Sequence, residues 1–319
     1  MLSKTRNKMR TLWGHSSIPV MAGFSKFFNP FELTKSSWAI QIKTFAEVPD
    51  VFKSFFEPFP IDESAFPFTV LTPSYENFIH KTTEKLIIDF GRDIYVLERK
   101  DDAFGTQCYP VDGICYVEMR TALLASSFTI CGMTNQGKYA SSTLKFNSVT
   151  DCFFKPILKR VRSVSVDSKN VAQGTEEKIF NCLADVNFKF MNFAKHSLLE
   201  GEKVIQFILQ PDIQEELLTF LRKTYYRTTS PTHMSILTDQ ELIVIREDEA
   251  RRKEDRYGAI WTYIPLSKIM SLSVSEKAGD LVGLTVQLPE DINFEFLFQA
   301  SVKEEINQLL THFKGLPTQ

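Results

Sequence analysis

The second half of this chain repeats the first in the order of its elements, and that repetition limits the folds open to it more than any single motif. Thr69-Val70-Leu71-Thr72-Pro73 matches Phe207-Ile208-Leu209-Gln210-Pro211, and residues 93–98 match 240–246 with one residue of slack. Tyr109-Pro110-Val111 followed by Ile114 matches Ile264-Pro265-Leu266 followed by Ile269, and Ser148-Val149 matches Ser301-Val302. The step from Pro110 to Ser148 is 38 residues and that from Pro265 to Ser301 is 36. Two units with one strand order and one kind of terminal helix follow. The length of 319 residues suits two domains of about 150 residues each.

In the first unit, seven short runs predict strands over 68–72, 85–90, 93–99, 106–110, 114–119, 123–131 and 142–146, with turns at Gly91-Arg92 and Asn135-Gln136-Gly137. Val149, Cys152, Phe153, Ile157 and Val161 then recur along one side of a helix, with Ser148 as its expected N-cap and Pro156 expected either to kink it or to limit the hydrogen bonding around it. The second unit predicts strands over 203–210, 233–238, 241–247, 260–264, 268–274, 283–288 and 293–298. Its last two alternate clearly, with Leu284, Val286 and Leu288 on one face, then Phe294, Phe296 and Phe298. Ser301 and Glu304 have the spacing of a capping box, and Gly315 is placed to end the helix. The second unit carries 17 extra residues between its two prolines, taken up by the segment 212–229 and the charged loop 247–256.

Ahead of the first unit the charges segregate: Lys4, Arg6, Lys8, Arg10, Lys26, Lys35 and Lys43 face Glu32 alone within residues 1–46. Phe24, Phe27, Phe28 and Phe31, and again Phe52, Phe55, Phe56 and Phe59, have the spacing of one helical face, each cut short by Pro30 or Pro58. Trp38, Ile40 and Ile42 alternate as a half-buried strand does. Between the units, residues 163–174 read as a linker. Thr175 then opens a helix whose stripe is Ile179, Leu183, Val186, Phe190 and Phe193.

Seven antiparallel strands closed by one carboxy-terminal helix, twice over, resemble bacterial proteins with tandem pleckstrin-homology-like domains. The resemblance implies a mainly β fold with α, in which each unit is a bent seven-stranded sheet or sandwich plugged by its helix. Two small sandwiches of another topology would show a similar pattern. The resulting division is a basic, Phe-rich extension over 1–66, a first domain over 67–162, a linker with its amphipathic helix over 163–197, and a second domain over 198–315.

Function is less legible than fold. There are 28 Phe against 5 His, and His15, His80, His196, His233 and His312 show no metal-ligand spacing with each other or with a Cys. No phosphate-binding glycine motif, nucleophile elbow or zinc-protease motif is present. No catalytic residue, metal or cofactor is assigned. The 37 Lys and Arg against 39 Asp and Glu leave no cationic excess for nucleic acid. Cys108, Cys115, Cys131, Cys152 and Cys182 are odd in number and lack paired spacing, which points to small core hydrophobes in a reducing, cytoplasmic compartment. The candidate contacts to an anionic membrane surface are Lys4, Arg6, Lys8, Arg10 and Trp13, and, at the end of the first unit's helix, Lys155, Lys159, Arg160 and Arg162. The expectation is a non-catalytic interaction or scaffold protein with a protein partner and peripheral membrane contact. Its competitor is an enzyme with a site between the repeats, lined by His80, His196 or His233.

Overall fold

The computed structural model describes residues 35–59, 66–75, 82–163, 176–220, 223–248 and 258–316. It is β-rich and ends in a helix. Strands β1 (Ile40–Ile42), β2 (Phe68–Thr72), β3 (Lys85–Asp89), β4 (Asp93–Lys100) and β5 (Ala103–Pro110) form one antiparallel sheet in that order. Next come β6 (Ile114–Ala122), β7 (Ala125–Met133) and β8 (Tyr139–Phe146), followed by helix α2 (Lys155–Ser163); helix α1 (Asp50–Phe56) precedes β2. After helix α3 (Phe188–Ser197) the second half supplies β9 (Val204–Gln210), a hairpin of β10 (Ile213–Phe220) and β11 (Lys223–Ser230), then β12 (His233–Thr238), β13 (Glu241–Glu247) and β14 (Ala259–Pro265). A sheet of β15 (Ser271–Lys277), β16 (Leu281–Gln287) and β17 (Asn293–Gln299) and helix α4 (Lys303–Gly315) complete it.

The two halves are not separate sandwiches. β6 pairs with β14, Val117 opposite Tyr263, Met119 opposite Trp261 and Thr121 opposite Ala259, so that one seven-stranded sheet runs β8-β7-β6-β14-β13-β12-β9. Because side chains alternate across a strand, this sheet divides two cores. On one face Val117, Phe128, Ile130, Ile236, Ile243 and Tyr263 pack with Val70, Ile94, Phe154, Phe180 and Phe190. On the other Leu237, Leu242, Val244 and Ile264 pack with Leu272, Leu284, Phe298, Ile306 and Leu309. Residues 37–319 accordingly form one compact unit.

A third core explains the second Phe cluster. α1 turns Phe52 and Phe56 onto Ile42, Leu71, Leu86, Ile88 and Leu97, covering the outer face of the β1–β5 sheet. α3 covers the matching face of the second half with Phe190, Met191 and Ala194. Burying each such Phe stabilises the fold by about 1.5–3 kcal/mol. The first Phe cluster, Phe24 to Phe31, lies outside the described residues.

Several local expectations are corrected. Asn147, not Ser148, caps the 3-10 turn Ser148–Phe153, its Oδ1 accepting from the Val149 N–H at 3.1 Å. Pro156 sits in the first turn of α2, where its missing N–H has no intrahelical partner to lose, and needs no kink. The linker helix is broken into a 3-10 segment, Glu176–Leu183, and α3, with Asn187 accepting from the Phe190 N–H at the restart. Its stripe splits: Leu183 and Phe190 are buried while Ile179 and Val186 are exposed. The capping box is replaced by a 3-10 turn, Ala300–Val302, which leads into α4 with no side-chain cap. The strand expected over 268–274 begins only at Ser271, after a 3-10 turn at Leu266–Lys268 that matches Val111–Gly113 in the first half.

Beyond strand pairing, one buried ion cluster ties the halves together. Arg162, at the end of α2, donates through Nε to Glu241 Oε1 at 2.8 Å and through Nη2 to the Ser197 carbonyl at 2.7 Å. Its guanidinium lies 3.8 Å from the Tyr263 ring centre, and Glu202 Oε2 stands 3.4 Å from Nη2. Glu202 also accepts from the Thr238 hydroxyl at 2.7 Å and the Leu199 N–H at 2.8 Å. One cation thus serves two buried carboxyls, so burial and then the neighbouring Glu241 push Glu202 up to about 8. A carboxyl raised in this way adds stability that is full below its ordinary 4.5 and is lost as pH rises towards 8. Arg162→Met, which strands Glu241, is expected to cost about 3–5 kcal/mol in urea unfolding at neutral pH. Glu202→Gln is expected to cost little and to flatten the decline between pH 4.5 and 8; equal losses from the two changes would contradict this division of roles.

Candidate interaction surface

The segment 212–229, one of the two places that take up the extra residues of the second half, carries two strands. Among the described residues β10 and β11 pair only with each other, as a two-stranded ribbon inserted in the chain between β9 and β12. Glu215 stands opposite Arg227, Glu216 opposite Tyr226 and Leu218 opposite Tyr225, leaving Leu217 as an extra residue in a bulge. That bulge sets Leu217 and Leu218 beside Tyr225. All three, together with Tyr226, are more than half exposed. A hairpin of two strands has little stability of its own in water, and large apolar side chains grouped on one are rarely left uncovered.

The base of this arm is held firmly. Ile213 and Ser230, the residues at its two roots, are buried. Gln210, just before the arm, accepts the Gln299 N–H at 2.9 Å through Oε1 and donates to the Pro211 carbonyl at 2.9 Å through Nε2. Just after the arm, His233 is buried with its ring edge-on to Phe298, centroids 4.7 Å apart. Its Nδ1 donates to the Pro231 carbonyl at 3.1 Å, which assigns the acceptor role to Nε2. Nε2 and the Ser235 hydroxyl, two residues along the same strand, are buried without a hydrogen-bond partner among the described residues. Burial holds His233 down to about 4, well below the ordinary 6.5.

The sequence-expected contacts are dispersed. Lys4, Arg6, Lys8, Arg10 and Trp13 lie outside the described residues, as does His80. On α2, Lys155, Lys159 and Arg160 are exposed, with Lys155 3.8 Å from Asp151 and Arg160 3.7 Å from Asp89. Arg162 is not with them: it points inward to Glu241 and cannot contact an external anion. His196 is exposed and bonds the Asn192 carbonyl, and His312 bonds Gln206. Cys108, Cys115 and Cys131 are buried as expected of core residues, whereas Cys152 and Cys182 are exposed. Of the charged loop after β13, Glu247 pairs with Lys189 at 2.8 Å and Asp248 with Arg120 at 2.5 Å. Among the described residues no group of three or more His, Cys, Asp or Glu could hold a metal, and no helix is long and apolar enough to cross a membrane.

The arm is what sequence reasoning missed. Ile213-Gln214-Glu215-Glu216-Leu217-Leu218 breaks its own alternation at the bulge, so a period of two is not sustained. The signal that could have found it is the run Thr224-Tyr225-Tyr226-Arg227-Thr228-Thr229, rich in β-formers. Compared with known proteins, the chain matches no family model and no curated sequence.

His233 gives the arm's anchorage a pH dependence. A histidine whose pKa is depressed on folding contributes stability that is full above its unfolded value and lost as pH falls towards its folded one. Between pH 6.5 and 4 the protein should lose roughly 3 kcal/mol from this residue, and His233→Phe should remove that part of the loss. Urea midpoints measured at both pH values check it; an unchanged slope in the variant would contradict the assignment.

Proposed function

We propose that the protein is a non-catalytic interaction or scaffold protein, built from two pleckstrin-homology-like units, that contacts a protein partner through the β10–β11 arm. The observation that carries this reading is the exposure of Leu217, Leu218, Tyr225 and Tyr226 on a ribbon whose outer edges are both unpaired among the described residues. Tyrosine supplies large contact area at low entropic cost and recurs among the residues that dominate binding energy. The open edges add backbone donors and acceptors that an extended segment of a partner can pair with. Glu215 and Arg227, opposite one another near the apolar group, give the surface a mixed charge suited to a protein rather than to a uniformly anionic target.

The rigid base matters to this reading as much as the exposed face. Ile213, Gln210 and His233 fix the two roots of the arm, so less of the chain has to be ordered on binding. The pleckstrin-like assignment is supported by the order of elements that the halves share: four meandering strands, then three, then a helix.

The test replaces Leu217, Leu218, Tyr225 and Tyr226 together by serine and compares proteins captured from native extract by the variant and by the wild type. The thermal midpoint should be unchanged, because these side chains are exposed, while the captured partner is lost; each aromatic truncation is worth about 2 kcal/mol, or roughly thirtyfold in affinity. Recovery of the same partner at the same level would sink the proposal.

A further inference from the structure

The junction inside the chain is a pairing between two kinds of edge, and one edge of each kind is left over. β14 ends the four-strand meander β9, β12, β13, β14, and β6 begins the three-strand meander β6, β7, β8. Their counterparts are β5, which ends the meander β2 to β5, and β15, which begins β15 to β17; among the described residues each is an edge strand. The same corner joins the members of each pair: Pro110 and a 3-10 turn lead from β5 to β6, and Pro265 and a 3-10 turn lead from β14 to β15.

The correspondence extends to individual residues. Counting from the two prolines, Phe104, Thr106 and Cys108 stand where Ala259, Trp261 and Tyr263 stand. Counting from Ile114 and Ile269, Leu272, Val274 and Glu276 stand where Val117, Met119 and Thr121 stand. Backbone direction agrees. Val111 N–H bonds the Arg92 carbonyl, which places Tyr109, Gln107 and Gly105 toward β4 and Phe104, Thr106 and Cys108 outward. Likewise Met270 N–H bonds the Gln287 carbonyl in a bulge like that at the start of β6, leaving Leu272, Val274 and Glu276 turned away from β16.

Burial shows what the missing partner leaves uncovered. Ala259 and Met119, which lie in the internal junction, are buried. Their counterparts Phe104 and Val274 are only half-buried, and Thr106 is exposed. The Cys108 carbonyl already accepts the Asn135 N–H at 3.0 Å, so the open strip on β5 is the shorter one around Phe104 and Thr106.

We infer that β15 of one molecule pairs antiparallel with β5 of a second copy of this chain, reproducing between molecules the β6–β14 junction found within one. The register places Val274 opposite Thr106 and Glu276 opposite Phe104. Such a contact uses two different surfaces, so it propagates head to tail instead of closing as a symmetric dimer. With a shorter strip than the internal junction it is weaker, and it assembles as concentration rises.

Two single substitutions block the two ends without touching the internal ladders. Thr106→Pro and Glu276→Pro each delete an outward N–H on an edge strand, a position where proline is tolerated. Sedimentation equilibrium of the wild-type chain should show a weight-average mass climbing from 36.7 kDa with concentration and passing twice that value. Each variant alone should remain at the monomer mass, with thermal unfolding confirming that it is folded. An equimolar mixture should recover a dimer and nothing larger, since Thr106→Pro keeps β15 and Glu276→Pro keeps β5. A wild-type chain that stays monomeric at millimolar concentration, a single variant that associates like the wild type, or a mixture that does not dimerise would each overturn the inference. The arm plays no part in this contact, so the serine variants of the arm should assemble as the wild type does.

Discussion

The structure depends on the pairing of β6 with β14. Without it the chain would be two small sandwiches on a string; with it a single sheet carries apolar side chains on both faces and two cores share one wall. Each strand at the junction therefore sends apolar side chains to both cores. Val117 and Tyr263 face one core, while Tyr116 and Ile264 face the other. The ladder's backbone groups satisfy one another, and Glu118 of β6 adds a side-chain contact by accepting from the Thr262 hydroxyl at 3.1 Å. Gly258 shows how tight the junction is, since a Cβ there would come within 3.0 Å of the Ala122 Cα.

The ion cluster around Arg162 follows from the same junction. The last turn of α2 carries Arg162, whose side chain reaches Ser197 at the end of α3 and Glu241 at the start of β13. A guanidinium in that place must find partners on the second half or be expelled, and it finds Glu241, the Ser197 carbonyl and the Tyr263 ring. Buried ion pairs add little net stability over well-packed apolar residues, but they penalise wrong arrangements heavily. Here the penalty falls on any docking of the halves that separates Arg162 from Glu241.

How much of this the amino-acid sequence discloses depends on range. Strands with local alternation, such as those carrying Leu284 and Phe294, are legible, and so is the order of elements, because the repeat prints it twice. The β6–β14 pairing is not, since residues 117 and 263 leave no mark on each other that a single sequence can show. Arg162 reads as a surface cation at a helix end like Arg160 and Lys159, because its burial is decided by Glu241, far along the chain. The arm escapes notice because a bulge at Leu217 breaks the period, and the expected cap at Ser301 fails because a 3-10 turn supplies the start of α4 instead. Candidate contact residues suffer most: exposure is a property of the whole fold, and neither Leu217 nor Tyr225 differs in kind from a core residue.

The central claim is that one continuous sheet joins the halves, and amide hydrogen exchange in dilute protein tests it directly. The N–H groups of Val117, Met119, Thr121, Trp261 and Tyr263 should exchange only through global unfolding, as the slowest in the molecule, while those of Phe104 and Thr106 on the open edge of β5 exchange rapidly. If the β6 amides exchanged as fast as those of β5, the halves would not share a sheet and the account would fall.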